Sequence, residues 1–220
     1  MRLFRPAALL LLALPAAASA QSSMTTSSMR GFENSLFLGA LAGNMTFSTT
    51  RIRNAHAPMY GVDMLATRSR VGLYASYNEA RFDEQSEVRN SPADLTGLRR
   101  VDLHNLRRGN LMLIGFPRSF RQLRPYLGAG LSVNIISRTE PVGTFESTAN
   151  RDTVSARVEA ARSRAGVGGI AGLQGNFRRV AIFGQGTFLP KTRQNFFNNG
   201  ETYTLEVGVR FNTGPSRMPL

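Results

Sequence analysis

Residues 203–211 read Tyr203-Thr204-Leu205-Glu206-Val207-Gly208-Val209-Arg210-Phe211, and every second side chain is apolar without exception. A strand sends successive side chains to opposite faces, so this segment has one oily face and one polar face. The same period of two returns in Val71, Leu73, Ala75 and Tyr77 against Gly72, Tyr74, Ser76 and Asn78. It returns again in Leu127, Ala129, Leu131, Val133 and Ile135 against Gly128, Gly130, Ser132 and Asn134. Gln174 and Asn176 likewise share a face with Gly166, Gly168 and Gly172. Extended along the chain, the pattern predicts eight strands, at 35–47, 58–67, 70–82, 103–116, 124–137, 163–177, 180–189 and 201–212. The first, fourth and seventh are less decided, because runs such as Leu111-Met112-Leu113-Ile114 are apolar on both faces.

Period two does not by itself say which face points inward. A water-facing sheet is usually crowded with Lys, Glu and Thr, whereas the polar faces here offer Gly, Ser, Asn and Gln, which suit a narrow interior. That composition favours apolar side chains on the outside. The charges on the polar faces, Asp63, Arg108, Glu206 and Arg210, include both signs and are expected to form a polar network in the lumen. Tyr74, Tyr126, Asn134 and Gln174 are expected to help fill it. Gaps between strands alternate in length: those at Arg68-Ser69, 117–123 and Arg178-Arg179 are short, while 48–57, 83–102, 138–162 and 190–200 are long. This alternation is the signature of an up-and-down barrel with tight turns at one end and large loops at the other. The fold predicted is therefore all-β, an eight-stranded antiparallel up-and-down transmembrane β-barrel over residues 32–212.

All fourteen acidic residues lie outside the short turns, while Arg68, Arg118, Arg121, Arg178 and Arg179 lie in them, a basic rim suited to anionic phospholipid headgroups. In the longest gap, Thr153 to Arg162 (TVSARVEAAR) fits strand spacing through Val154, Ala156, Val158 and Ala160, and helix spacing through Val154, Val158 and Ala161. It is read as a strand extending above the membrane. Tyr60, Tyr77, Phe82, Phe116, Phe177, Phe188, Tyr203 and Phe211 are expected to form the interfacial aromatic belts, since the chain has no Trp.

The N-terminus agrees with membrane residence. Arg2 and Arg5 precede an apolar run from Ala7 to Ala17 and the small residues Ala18-Ser19-Ala20, the three parts of a secretory signal peptide over 1–20. The mature chain then begins at Gln21 with a flexible Ser/Thr/Met-rich leader over 21–31. The 220 residues, 42% of them hydrophobic, with 21 Gly and no Cys, exclude a disulfide-stapled miniprotein, a collagen and a charged disordered chain. A formal net charge of +13 would first suggest nucleic acid, but the basic residues are scattered, and all but Lys191 are Arg. An exported chain does not meet chromosomal DNA, so no nucleic-acid partner is expected.

Arg124-Pro125-Tyr126-Leu127-Gly128-Ala129-Gly130-Leu131 resembles a strand opening common in small outer-membrane β-barrels of the OmpA/OmpX and opacity-protein superfamily. The stretch from Tyr203 to Phe211 is similar to the terminal assembly signal of those proteins. The chain departs from them by continuing past the aromatic, through Asn212 to a tail over 213–220. The resemblance implies residence in the outer membrane, with its lipids and its assembly machinery as partners, and a monomeric state. Some barrels of this size are lipid A deacylases, whose activity requires a His and a Ser two apart on one strand face; no His-x-Ser occurs here.

Other chemistry is sparse. His104 lies two residues after Asp102, the spacing of a strand-face metal pair, but no third ligand is evident; His56 reads as a loop residue. Asp83-Glu84 with Glu87 lacks the glycine-turn spacing of a calcium loop, and Gly166-Val167-Gly168-Gly169 lacks the Lys and helix of a phosphate loop. No catalytic residue, cofactor or metal is therefore expected. The leading expectation is a non-enzymatic outer-membrane barrel acting structurally, or on envelope or host surface components, through its long loops. The alternatives are a narrow channel for small apolar molecules, as in OmpW-type relatives, and a secreted cationic binding protein.

Overall fold

A computed structural model describes residues 34–49, 51–89, 98–117, 120, 122–143, 145, 147–191 and 201–215. The signal peptide, the leader, Arg118, Arg121 and the end of the tail lie outside the described residues. The strands are β1 (Ser35–Phe47), β2 (Ala55–Arg68), β3 (Val71–Arg89), β4 (Leu98–Gly115), β5 (Leu123–Val142), β6 (Ser163–Phe177), β7 (Val180–Leu189) and β8 (Thr202–Pro215). Each pairs antiparallel with the next, and β8 pairs back onto β1, giving a closed barrel in the order β1 to β8. Closure removes both sheet edges, so every strand finds backbone partners on its two sides, as a lipid environment demands.

The faces follow the alternation. In β8 Thr204, Glu206 and Arg210 are buried inside, while Tyr203, Leu205, Val207 and Phe211 project outward, with Leu205 73% exposed. Leu113, Leu127, Leu131, Val167 and Ile182 project from other strands, so a belt of large apolar side chains encircles the barrel. An apolar surface this continuous is incompatible with an ordinary water-facing sheet.

The interior is layered. At the short-turn end Phe37, Leu65, Met112, Ile114, Phe116 and Ile170 form an apolar layer. At the loop end Met45, Phe47, Met59, Leu103, Leu106 and Ile136 form a second, and Asp63, Arg108, Glu206 and Arg210 lie between the two. A bulge helps to build the loop-end layer. Between Ala80 and Asp83 the register of β3 on β4 shifts, opposite Asn105 with its φ of 53°, so that Leu106, Leu103 and Val101 all face inward.

Two sequence expectations are corrected. Thr148–Arg162 is a helix, α1, where 153–162 was expected as strand. Ser147 caps its N-terminus by accepting from the Asn150 N–H, and Val154 and Val158, one helical turn apart, bury themselves on the loop-end apolar layer. Phe82 and Phe116 do not join the outer belt. They share the inward parity of Ala80 and Ile114; Phe82 packs on Phe47 with ring centroids 4.8 Å apart, and Phe116 on Tyr126 at 5.8 Å.

Candidate functional site

The polar middle layer is the only part of the interior where charges gather among the described residues. Register explains how. Gly39 of β1 lies opposite Asp63 on β2 and opposite Arg210 on β8, so the three occupy one row. With no side chain on Gly39, Arg210 reaches over β1 and pairs with Asp63, Nη2 to Oδ2 at 2.7 Å and Nε to the same oxygen at 2.9 Å. A Cβ built on Gly39 would lie 2.3 Å from Asp63 Oδ1 and 2.7 Å from Arg210 Cγ, so the pair needs the glycine.

The rest of the layer grows around this pair. Arg210 Nη1 donates to Gln174 at 2.6 Å, and its guanidinium lies 3.6 Å from the centroid of the Phe183 ring. Gln185 is the hub: its Oε1 accepts from Tyr126 at 2.7 Å and from Arg210 at 3.2 Å, and its Nε2 donates to Tyr74 and to Glu206. Gly172 makes room here as well, since a Cβ there would meet the Tyr126 hydroxyl at 2.6 Å. Glu206 also accepts from Asn78 and Thr204, each at 3.3 Å. Arg108 faces the same lumen from β4, where Nε donates to Asn134 at 2.7 Å and Nη2 approaches the Met45 sulfur at 3.3 Å.

The structure thus brings Asp63, Arg108, Glu206 and Arg210 into one buried layer, all 5% exposed or less. Only Asp63 and Arg210 form an ion pair; Glu206 is held by neutral donors, and Arg108 by neutral acceptors. Two acids and two arginines balance in charge, which lets the layer remain in a low-dielectric interior. Gln185, Gly39 and the apolar layers were not singled out by sequence reasoning. Inward parity would have marked Gln185, but a register row such as Arg210-Gly39-Asp63 is visible only once strands are paired.

Elsewhere, His104 Nδ1 lies 3.2 Å from Asp83 across the β3–β4 ladder, and His56 shares a hydrogen bond of 3.0 Å with Thr46. Asp83 thus faces His104, while Glu87 faces Arg51 at 3.6 Å, which splits the acidic cluster between separate partners. No group of three or more His, Asp or Glu side chains suited to a metal ion occurs among the described residues.

No protein-family model and no curated protein matches the sequence. Solved structures do. Neisserial surface protein A aligns over 80% of this chain and 96% of its own, with a TM-score of 0.54 at 16% identity. Ail, the attachment invasion locus protein of Yersinia pestis, aligns over 82% of this chain and 99% of its own, with a TM-score of 0.51 at 11% identity. Identities this low concern the fold rather than the function. The closed ring of eight strands, its outward apolar belt and these likenesses agree that the chain has the fold of the small eight-stranded outer-membrane β-barrels.

Proposed function

We propose that the protein is an exported, monomeric outer-membrane barrel that serves as a non-enzymatic scaffold, presenting its loop end to envelope or host surface components. The observation that carries this reading is the uneven height of the wall. β7 has 10 residues, the length that crosses a bilayer, whereas β3 has 19, β4 has 18 and β5 has 20. The excess of eight to ten residues raises a three-stranded wall by roughly 26–33 Å along the strands, at a rise of about 3.3 Å per residue. Asp83, His104, Arg138, Asp102 and Glu140 pair in rows across that wall, on its outward face. Below it the lumen is filled by side chains, so the wall and the helix beside it are the parts left to meet a partner. Ail is by its name an attachment protein, which accords with this use of the fold.

The apolar loop-end layer beneath α1 favours a narrow route for small apolar molecules as the second reading. The charged layer below it opposes such a route. A secreted, soluble cationic protein is opposed by the apolar belt.

An epitope tag inserted between Arg89 and Leu98 tests the leading reading. It is expected to be reached by antibody on intact cells while the protein resists extraction by alkaline washing. A tag reached only after lysis, or a soluble periplasmic product, would overturn it.

A further inference from the structure

The described arginines of the short turns have no work inside the molecule. Arg68, Arg70, Arg178 and Arg179 are exposed, and none of their side chains has an ion pair, hydrogen bond or ring contact among the described residues. At the loop end, by contrast, Arg51, Arg138 and Arg162 each face a carboxylate. The backbone does not ask for these arginines either. Arg178 has φ 56° and Ser69 has φ 54°, left-handed conformations that favour Gly or Asn in a two-residue hairpin.

Their placement is circumferential. The β2–β3 turn carries Arg68 and Arg70, and the β6–β7 turn carries Arg178 and Arg179, four strands away on the opposite side of an eight-stranded ring. They also abut the apolar belt: Arg68 pairs with outward Val71, and Arg178 directly follows outward Phe177. A guanidinium one or two residues beyond the belt sits about 3–7 Å from its edge, at headgroup depth. Asp63, the acid nearest this end among the described residues, is buried and already paired.

We infer that these four residues form a collar that binds the phosphodiester headgroups of anionic phospholipids in the leaflet at the short-turn end. Cations on opposite sides of a rim, four strands apart, fit a ring of lipids better than any one soluble anion. Guanidinium donors match phosphate oxygens in pairs. The collar gives this face a preference for one lipid charge class and fixes the depth at which the barrel sits. The inference rests on the membrane reading above.

The test reconstitutes the purified folded barrel into mixed phosphatidylcholine and phosphatidylglycerol bilayers, after heat-modifiable migration and flotation have shown that it inserts. Failure to insert would count against the membrane reading itself. Spin-labelled lipids then report which headgroup is immobilised at the barrel. Phosphatidylglycerol is expected to be enriched at least about two-fold over phosphatidylcholine, and raising the salt is expected to abolish the enrichment. The combined Arg68→Gln, Arg70→Gln, Arg178→Gln and Arg179→Gln variant is expected to lose it, while Arg100→Gln with Arg151→Gln at the loop end keeps it. Equal immobilisation of the two lipids around an inserted wild-type barrel would overturn the inference without touching the membrane reading. Persistence in the four-fold variant, or displacement by inorganic phosphate at the same ionic strength, would overturn it as well.

Discussion

Arg210 on β8 and Asp63 on β2 meet at 2.7 Å across the face of β1, directly above Gly39. The pair therefore spans the seam at which the last strand closes on the first. A buried ion pair is weak evidence for stability, but it specifies its own geometry, because any other register leaves two charges without partners. Asp63→Ala is expected to cost about 3–5 kcal/mol by stranding Arg210 in the interior. Asp63→Leu combined with Arg210→Met is expected to cost clearly less than Asp63→Ala alone. Urea unfolding of the reconstituted barrel measures both, and equal losses would mean that the pair does not act as a unit.

Gly39 gives a sharper probe of the same seam. Its missing side chain is what admits the pair, so Gly39→Ala is expected to lower stability by about 1–3 kcal/mol through overpacking. Ala42, which neighbours Tyr60 and Val207 on the outward face of β1, provides the control: Ala42→Gly is expected to change little. An unfolding midpoint unaltered by Gly39→Ala would contradict the described row.

On β5 the outward face passes from the belt into the raised wall. Leu131 is 56% exposed within the belt, and Glu140 projects from the wall nine residues later. Leu131→Arg is expected to cost about 2–4 kcal/mol, as a cation facing the bilayer interior does. Glu140→Arg removes only a surface pair with Arg138 and is expected to cost at most about 1 kcal/mol. Equal effects on folding yield into vesicles would show that the two sites share one environment.

Helix α1 is held by few contacts, chiefly Val154 and Val158 in the loop-end apolar layer. Val154→Ala with Val158→Ala is expected to undock it at a cost of about 1–3 kcal/mol per site. Amide exchange should then accelerate in 148–162 while β1–β8 keep their protection. Faster exchange throughout the barrel would show instead that the helix is integral to the fold.

Much of this molecule was legible before any strand was paired. Tyr203 to Phe211 and Leu127 to Ile135 alternate because one face meets lipid and the other a narrow polar lumen, and nothing in those segments competes with the pattern. Legibility falls where that contrast ends. Above the bilayer both faces of β3, β4 and β5 carry polar groups, so strands expected at 70–82, 103–116 and 124–137 run on to Arg89, begin at Leu98 and run on to Val142. In β1, Phe37, Leu41, Met45 and Phe47 face inward while Leu38 faces outward, and a strand apolar on both sides hides the layering of the interior. The helix was ambiguous because Val154 and Val158 satisfy both periods; its local signal, the Ser147 cap, lies outside the 153–162 stretch that was read. The polar layer was named from its charges, yet its hub, the neutral Gln185, carries no charge to draw notice.

The filled lumen is the feature on which the scaffold reading depends. Eight strands enclose an interior just wide enough for side chains, and here two apolar layers bracket a paired polar one. Purified barrel placed in a planar lipid bilayer should accordingly give no large, steady ion conductance. Reproducible porin-sized steps, from protein shown to be free of contaminating porins, would mean that a continuous water path exists and that the scaffold reading is wrong.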